Sequence, residues 1–489
     1  PQAWYNYPAI AVKNSGVKEL LGVDDTVTHV SLASLLQGGD YSLQADVEQA
    51  HRTSANQRNK TQQKLIGFDE RVHILYGALQ GHELRLFPMP DDPRHTWKEL
   101  PEVLEALGEG DPRAAEFQAA GDALFGGLAE HDMARVRQGL ELTHALQVKY
   151  GAEVMPSDLQ VTSELYLNSG HPFAKSTLPY LGAFLVLIFA YFWGLFRRDG
   201  KPWSWRSPLF VVGMLLFVVG FGMHLYGFVL RWIASGRAPL SNGHESLLWV
   251  ALAVALAGIL FEARSRTAAA GALGSLLAAV VLGVSMMSAF DPAIGPLVPV
   301  LASYWLNIHV TVITASYGFI GLCALLGGLT LVLLIIAGVT KRTVGPAVAK
   351  LDRLNKDVMV VGVGLLAIGT LLGGVWANES WGRYWGWDPK ETWSLVSILV
   401  YSLILHLRYI PRLSNAYVHA VGSFLGIWTI IMTYFGVNYL LVGLHSYAAG
   451  EATQIPTWVV VSFVAMVIVS IVAGIGWSEA RPRGRERPA

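Results

Sequence analysis

The residues best suited to chemistry crowd into one stretch, WANESWGRYWGWDPKETW, Trp376 to Trp393, which holds five of the chain's sixteen tryptophans. Tryptophan favours the headgroup level of a membrane, so one reading is an interfacial belt. A belt spreads its indoles over many helix ends, whereas these gather with Tyr384 and several Gly and Pro positions in a single connection. Packed indoles make a flat, polarisable wall for a large planar apolar ligand. The Asp388-Pro389-Lys390-Glu391 run sets a turn into a helix with acids at its positive end, so Asp388 and Glu391 read as capping and loop-fixing acids rather than proton donors. Histidines add the other half of the chemistry. His309 opens a long apolar run, His445 sits in a Gly-Leu-His-Ser-Tyr loop, and His406 lies inside an apolar run, where an ionisable group is a functional candidate by default. Cys323 is the only cysteine, so the chain forms no internal disulfide and no CxxC site. Any thiol chemistry must use a partner's cysteines.

The elements that position these residues follow from composition. The 489 residues are 53% apolar and 15% charged, with a formal net charge of zero. That average hides two halves: residues 1–178 carry 15 Lys/Arg against 24 Asp/Glu, net −9, and the remainder carries 21 against 12, net +9. From Leu178 onward, apolar runs of roughly 17–25 residues recur between short polar loops, each long enough to cross a hydrocarbon core as a helix. Nine spanning helices are expected near 178–196, 207–230, 246–262, 268–288, 307–339, 358–376, 393–408, 416–438 and 457–477, the fifth longer than a span needs. One set of loops and the 481–489 tail collects 17 of the 21 cations of this half, which marks that side as cytoplasmic. Arg231, Arg237, Arg383 and Lys390 remain on the external side, with the Trp loop 376–393 and, given an odd helix count, the acidic domain 1–177.

That domain reads as mainly helical over 42–79 and 114–150, with a short strand at His82–Met89. Its histidines (His29, His51, His73, His82, His95, His131, His144) show no metal-ligand spacing and read as solvated surface. Residue 1 is proline, and no signal segment precedes a domain that must be translocated, so the chain is expected to be part of a longer polypeptide.

WGRYWGWDPKETW resembles the tryptophan-rich WWD signature of haem-handling proteins. Together with RWIASGRAPLSNGHESL from Arg231, YWLNIHVTVITASYG and YFGVNYLLVGLHSYA, it is similar to the CcsA/ResC type of System II cytochrome c synthase over most of 207–450. The part before Leu178 looks more weakly like the end of the partner subunit, ResB/CcsB, fused in front. One departure is His244, where the family commonly has an aromatic residue before Glu245.

The resemblance implies a polytopic all-α protein of the bacterial inner membrane, with the N-terminal domain and Trp loop periplasmic and the C-terminus cytoplasmic. It would take ferrous haem b from the cytoplasmic side and present it to an apocytochrome c, whose CxxCH thiols add across the haem vinyl groups. By the same resemblance, haem lies on Trp376, Trp381, Trp385 and Trp387, between His309 and His445 as axial ligands, with Asp388 fixing the loop; His406 matches one of two intramembrane haem histidines. His224 and His419 stand at the wrong depth or too near a loop to pair with it, so the second ligand is expected in a membrane segment ahead of Pro1. Because Arg231, Arg237 and Arg383 oppose the positive-inside bias, at least one is expected to hold a propionate through its guanidinium. Implied partners are apocytochrome c, its thioredoxin-like reductants, a ResB/CcsB segment fused or separate, and membrane lipid, with no nucleic acid. Two other classes compete: a haem exporter or chaperone without ligation activity, and a b-type electron-transfer protein, which needs paired histidines at matching depths.

Overall fold

A computed structural model of the chain describes residues 5–37, 40–53, 58–80, 84–108, 110–196, 207–287, 292–297, 301–341, 343–441, 443 and 455–480. The chain divides into two units, Pro1–Ser157 and Asp158–Ala489. Helix Asp158–Gly170, polar enough to be grouped with the acidic domain on hydropathy, falls in the second unit.

In the first unit the 42–79 stretch is two helices, Gln44–Arg52 and Lys60–Gln80, around a core that includes Leu43, Val47, Leu65, Phe68 and Val72. The Ala/Leu-rich stretch is a helical hairpin, Pro112–Glu130 and Met133–Gly151. It turns because His131 takes a left-handed φ of +56° and Asp132 caps the second helix, accepting from the Ala134 and Arg135 amides at 3.0 and 3.2 Å. The strand expected at 82–89 is reduced to Phe87–Pro88, paired antiparallel with Trp97–Lys98; its first two residues lie outside the described residues.

The second unit is a bundle of apolar helices, and the protein is a polytopic all-α membrane protein. We label the helices α1 (Pro172–Phe196), α2 (Pro208–Ser235), α3 (Gly243–Ser265), α4 (Ala269–Ser285), α5 (Tyr304–Thr340), α6 (Gly345–Trp381), α7 (Pro389–His406), α8 (Ala416–Ile431) and α9 (Thr457–Ala480). Among the described residues, eight helices are long and apolar enough to cross a membrane, and α4, with 17 residues, is a shorter apolar helix. Helix ends depart from the hydropathy reading wherever a polar turn stays helical. α6 starts 13 residues before the expected 358 because Lys350, Asp352, Arg353 and Lys356 lie on its first turns, and its 37 residues equal those of α5. In lipid a helix is the way a single segment satisfies its own backbone groups, so it continues until a cap takes over.

Two buried carboxylates fix the bundle's corners. Glu262 near the end of α3 accepts the amides of Ala268 and Gly271 at 2.7 and 3.0 Å, closing the tight turn into α4. Glu245 in the first turn of α3 accepts from Arg231 Nε at 3.0 Å and Nη2 at 2.9 Å, and its other oxygen takes the Ser241 amide at 2.8 Å. Arg231 also donates to the Pro292 and Ala293 carbonyls at 2.9 and 3.4 Å, so one ion pair joins α2, α3 and the loop after α4. Both residues are almost fully buried, at 3% and 0% exposure.

A buried pair of this kind costs most when only one partner is removed. Arg231→Met is therefore expected to destabilise the detergent-solubilised protein by about 3–5 kcal/mol, and Arg231→Met/Glu245→Met to recover part of that loss. Thermal unfolding of both variants checks this; equal melting temperatures for the two would mean that the stranded carboxylate is not the cause.

Candidate functional site

The Trp stretch is less of a loop than its sequence suggests. α6 carries Trp376 and Trp381 to its C-terminal end, stops at Gly382 with φ +71°, and α7 begins at Pro389, so the turn is Gly382–Asp388. Asp388 and Glu391 form a capping box: Asp388 Oδ2 accepts the Lys390 amide at 2.9 Å, while Glu391 Oε2 reaches back to the amides of Asp388 and Gly386 at 3.2 and 2.8 Å. Trp387 just before the cap is held at φ +56°, a strained region for a bulky residue. This box satisfies the Gly386, Asp388 and Lys390 amides where the aromatic turn re-enters a helix.

Beside the turn lies a cavity of about 680 Å³ between the ends of α3, α5, α6, α7 and α8, within the size range of small-molecule and cofactor sites. Its wall includes His309, Trp376, Trp385, Lys390, Tyr434 and His244. His309 Nδ1 lies 2.7 Å from the carbonyl oxygen of Gly369 on α6. Because a carbonyl only accepts, the ring proton is on Nδ1, and Nε2 carries the lone pair, which is the arrangement that orients a metal-binding imidazole. The His309 ring is parallel to Trp376, 5° between planes at 6.5 Å, and Trp376 meets Trp381 at 4.8 Å. Gly373 makes this possible: a Cβ there would stand 2.6 Å from His309 Cε1.

The opposite wall depends on a departure from α geometry. Met432–Gly436 is a π-helical turn that continues α8 and carries Tyr434, whose hydroxyl is 2.6 Å from Ser246 Oγ on α3. Asn438 then links the two sides, donating through Nδ2 to the Tyr434 carbonyl at 2.8 Å and accepting from Lys390 Nζ at 3.1 Å. Gly443 passes so close to the cap that a Cβ on it would be 2.5 Å from Asp388 Oδ1.

The residues picked from the sequence therefore divide. His309, Trp376, Trp385 and Arg237 border the cavity, and Trp381 backs Trp376. Asp388 is a buried cap outside the wall, and Arg231 is committed to Glu245 and two carbonyls. Arg383 is exposed on the turn, and Trp387 is 72% exposed, edge-on to Trp385 at 5.8 Å. His445 lies outside the described residues. Sequence reasoning did not single out Lys390 or Tyr434 for the site; Lys390 had a signal, as one of the four cations in the cation-poor loops, whereas a π-turn leaves none in residue types.

His406 is not part of this cavity. It ends α7, 17 residues and about 25 Å beyond Pro389, with Nδ1 2.7 Å from the Ser402 carbonyl and its ring exposed on the bundle surface. Two residues on, Arg408 clamps Asp352 with both terminal nitrogens at 2.8 and 2.9 Å, and His419 Nδ1 meets the same carboxylate at 3.0 Å. His224 is fully buried beside Tyr180 and Phe173. Neither His419 nor His224 shares His406's exposed face.

Comparison with known proteins places this architecture. A family model described as "Cytochrome C assembly protein" matches residues 240–445, which takes in the Trp turn and the cavity wall apart from Arg237. "Protein NrfI" of Wolinella succinogenes is 39% identical over 452 residues, 92% of this chain, and the chain spans 49% of that longer protein. "Cytochrome c biogenesis protein CcsA" of Synechococcus sp. is 33% identical over 306 residues, 56% of this chain and 97% of that protein. Among solved structures, "Cytochrome c Heme Lyase CcmF" aligns with a TM-score of 0.40 and 14% identity, covering 63% of this chain and 50% of that one, which is too distant to carry an argument. The chain thus belongs to the cytochrome c assembly protein family, as a member of its CcsA type.

Proposed function

We propose that the protein moves haem b across a bacterial inner membrane and presents it in the cavity beside the Trp turn for covalent attachment to an apocytochrome c. The observation that carries this reading is His309. An imidazole whose Nδ1 proton is held by the Gly369 carbonyl keeps its basic nitrogen at Nε2, and it stands in the wall of an aromatic cavity large enough for a cofactor. His445 is the other proposed external ligand; it follows Gly443, which touches the Asp388 cap, by two residues, a reach of about 7 Å. Trp376 and Trp385 offer faces to the porphyrin, with Trp381 supporting Trp376 and Trp387 closing the outer edge. Arg237 and Lys390 are the cations at the wall, and we assign propionate binding to them, with the exposed Arg383 able to reach from the turn.

In the attachment step each substrate thiol adds across one vinyl C=C. Sulfur bonds to one carbon and hydrogen to the other, with no net oxidation. The chain's part is to hold the porphyrin plane so that both vinyls meet both sulfurs, since fixed orientation supplies a large part of such rate gains. Displacement of His309 or His445 by the substrate's own histidine then loosens the product. His406, exposed and with Nδ1 at the Ser402 carbonyl, is proposed as one ligand of an intramembrane haem site completed by a ResB/CcsB-type segment, fused or separate. Thioredoxin-like reductants would keep the apocytochrome thiols ready. The sidedness follows from the cation bias, with the Trp turn and the first unit periplasmic and the C-terminus cytoplasmic.

Purified protein is expected to carry low-spin haem b. His309→Ala should lose most of the cavity's haem, and Gly373→Ala, whose new methyl displaces the His309 ring, should weaken retention on the order of tenfold. Haem content and absorption spectra measure both; unchanged spectra in His309→Ala/His445→Ala would remove the site as proposed.

The Trp positions should differ in weight. With aromatic contacts worth about 0.5–1.5 kcal/mol beyond area burial, Trp385→Ala should cost more haem than Trp385→Phe, and more than Trp387→Ala. The assay is covalent haem on a co-expressed CxxCH apocytochrome, normalised to inserted protein, with equal product from all variants counting against a stacking wall. Haem bound with no covalent product in any variant would favour an exporter or chaperone.

A further inference from the structure

The cavity wall holds a second imidazole. His244, in the first turn of α3, is only 5% exposed and lines the same space as His309. Its Nδ1 lies 2.8 Å from the Ser285 carbonyl at the end of α4, which places the ring proton on that nitrogen and the lone pair on Nε2, as at His309.

The backbone around it is held from both sides. Asn242 caps α3 by accepting the Glu245 amide at 2.8 Å, Glu245 is locked to Arg231, and Ser246 bonds Tyr434 across the cavity. Phe173 stands edge-on to the His244 ring at 6.4 Å. Trp249 Nε1 donates to the Thr311 carbonyl at 2.9 Å, pinning α3 to α5.

We propose that His244 is a further axial ligand for haem iron in this cavity, a donor on a rigid helix that takes the iron in place of the loop ligand His445. The inference rests on the reading of the cavity as a haem site. A rigid donor would fill the second axial position between the departure of His445 and the arrival of the substrate histidine. An apolar aromatic at this position offers no nitrogen donor.

Haem titrated into the haem-depleted full chain in detergent tests this. His445→Ala is expected to remain six-coordinate and low-spin, and His445→Ala/His244→Phe, which keeps the ring volume, to become five-coordinate and high-spin with haem affinity lowered on the order of tenfold. His445→Ala/His244→Ala should regain the low-spin spectrum at imidazole concentrations that leave haem in detergent micelles alone unconverted, which a merely misfolded protein would not. A high-spin spectrum in His445→Ala alone, or an unchanged low-spin spectrum after adding His244→Phe, overturns the role of His244 while leaving the haem site intact. Haem binding that is indifferent to His309→Ala as well would remove the haem site itself, and this inference with it.

Discussion

The constraint on which everything else depends is that hydrocarbon offers no hydrogen bonds. Every amide in a spanning segment must be satisfied by the segment itself or by a nearby side chain, so the structure has freedom only where helices end. The cavity is accordingly built from ends: the first turns of α3, α5 and α7, the last turns of α6, and the widened end of α8. Two of these ends are closed by side chains, Asn242 for α3 and the Asp388/Glu391 box for α7, while Glu245 ties α3 to Arg231 and the loop after α4. These caps turn open polar termini into a wall that can hold an apolar ligand without competing for it.

The same logic separates two kinds of polar residue that look alike in sequence. Arg231 and Arg237 are six residues apart, both among the four cations of the cation-poor loops. Arg231 neutralises a buried carboxylate and two carbonyls, whereas Arg237 bonds Ser241 Oγ at 3.1 Å and the Gly295 carbonyl at 2.8 Å at the cavity's edge. Asp388 and Glu391 spend their oxygens on amides. At the far end of the bundle, Asp352 gathers Arg408 and His419 and so anchors the helix end that carries His406.

The sequence made the apolar helices legible through their length, and the site through the density of Trp and the placement of His309. The polar start of α6 was hidden because hydropathy reports solvent preference rather than helicity, and Lys350, Leu351, Arg353, Leu354 and Lys356 are good helix formers in water. The Trp stretch read as a long loop because Gly382, Gly386 and Pro389 punctuate it, although two of the three mark helix boundaries: Gly382 ends α6 and Pro389 opens α7. The burial of Arg231 and the facing of His244 onto His309's cavity depend on contacts across 14 to 62 positions of sequence, which no local pattern encodes.

The π-turn at Met432–Gly436 has a consequence for how this part of the chain can vary. Such a turn is an α-helical turn with one residue inserted, and each residue advances a helix by about 100°. It acts as a phase adjuster: Ile430 upstream keeps its place in the core, while Tyr434 and Asn438 downstream point to α3 and Lys390 instead of a third of a turn away. Length changes between α8 and Gly443 are therefore not equivalent to changes in an ordinary connection. Removing one residue here would restore a regular helix, and it would rotate out of register the strand of chain that leads past the Asp388 cap.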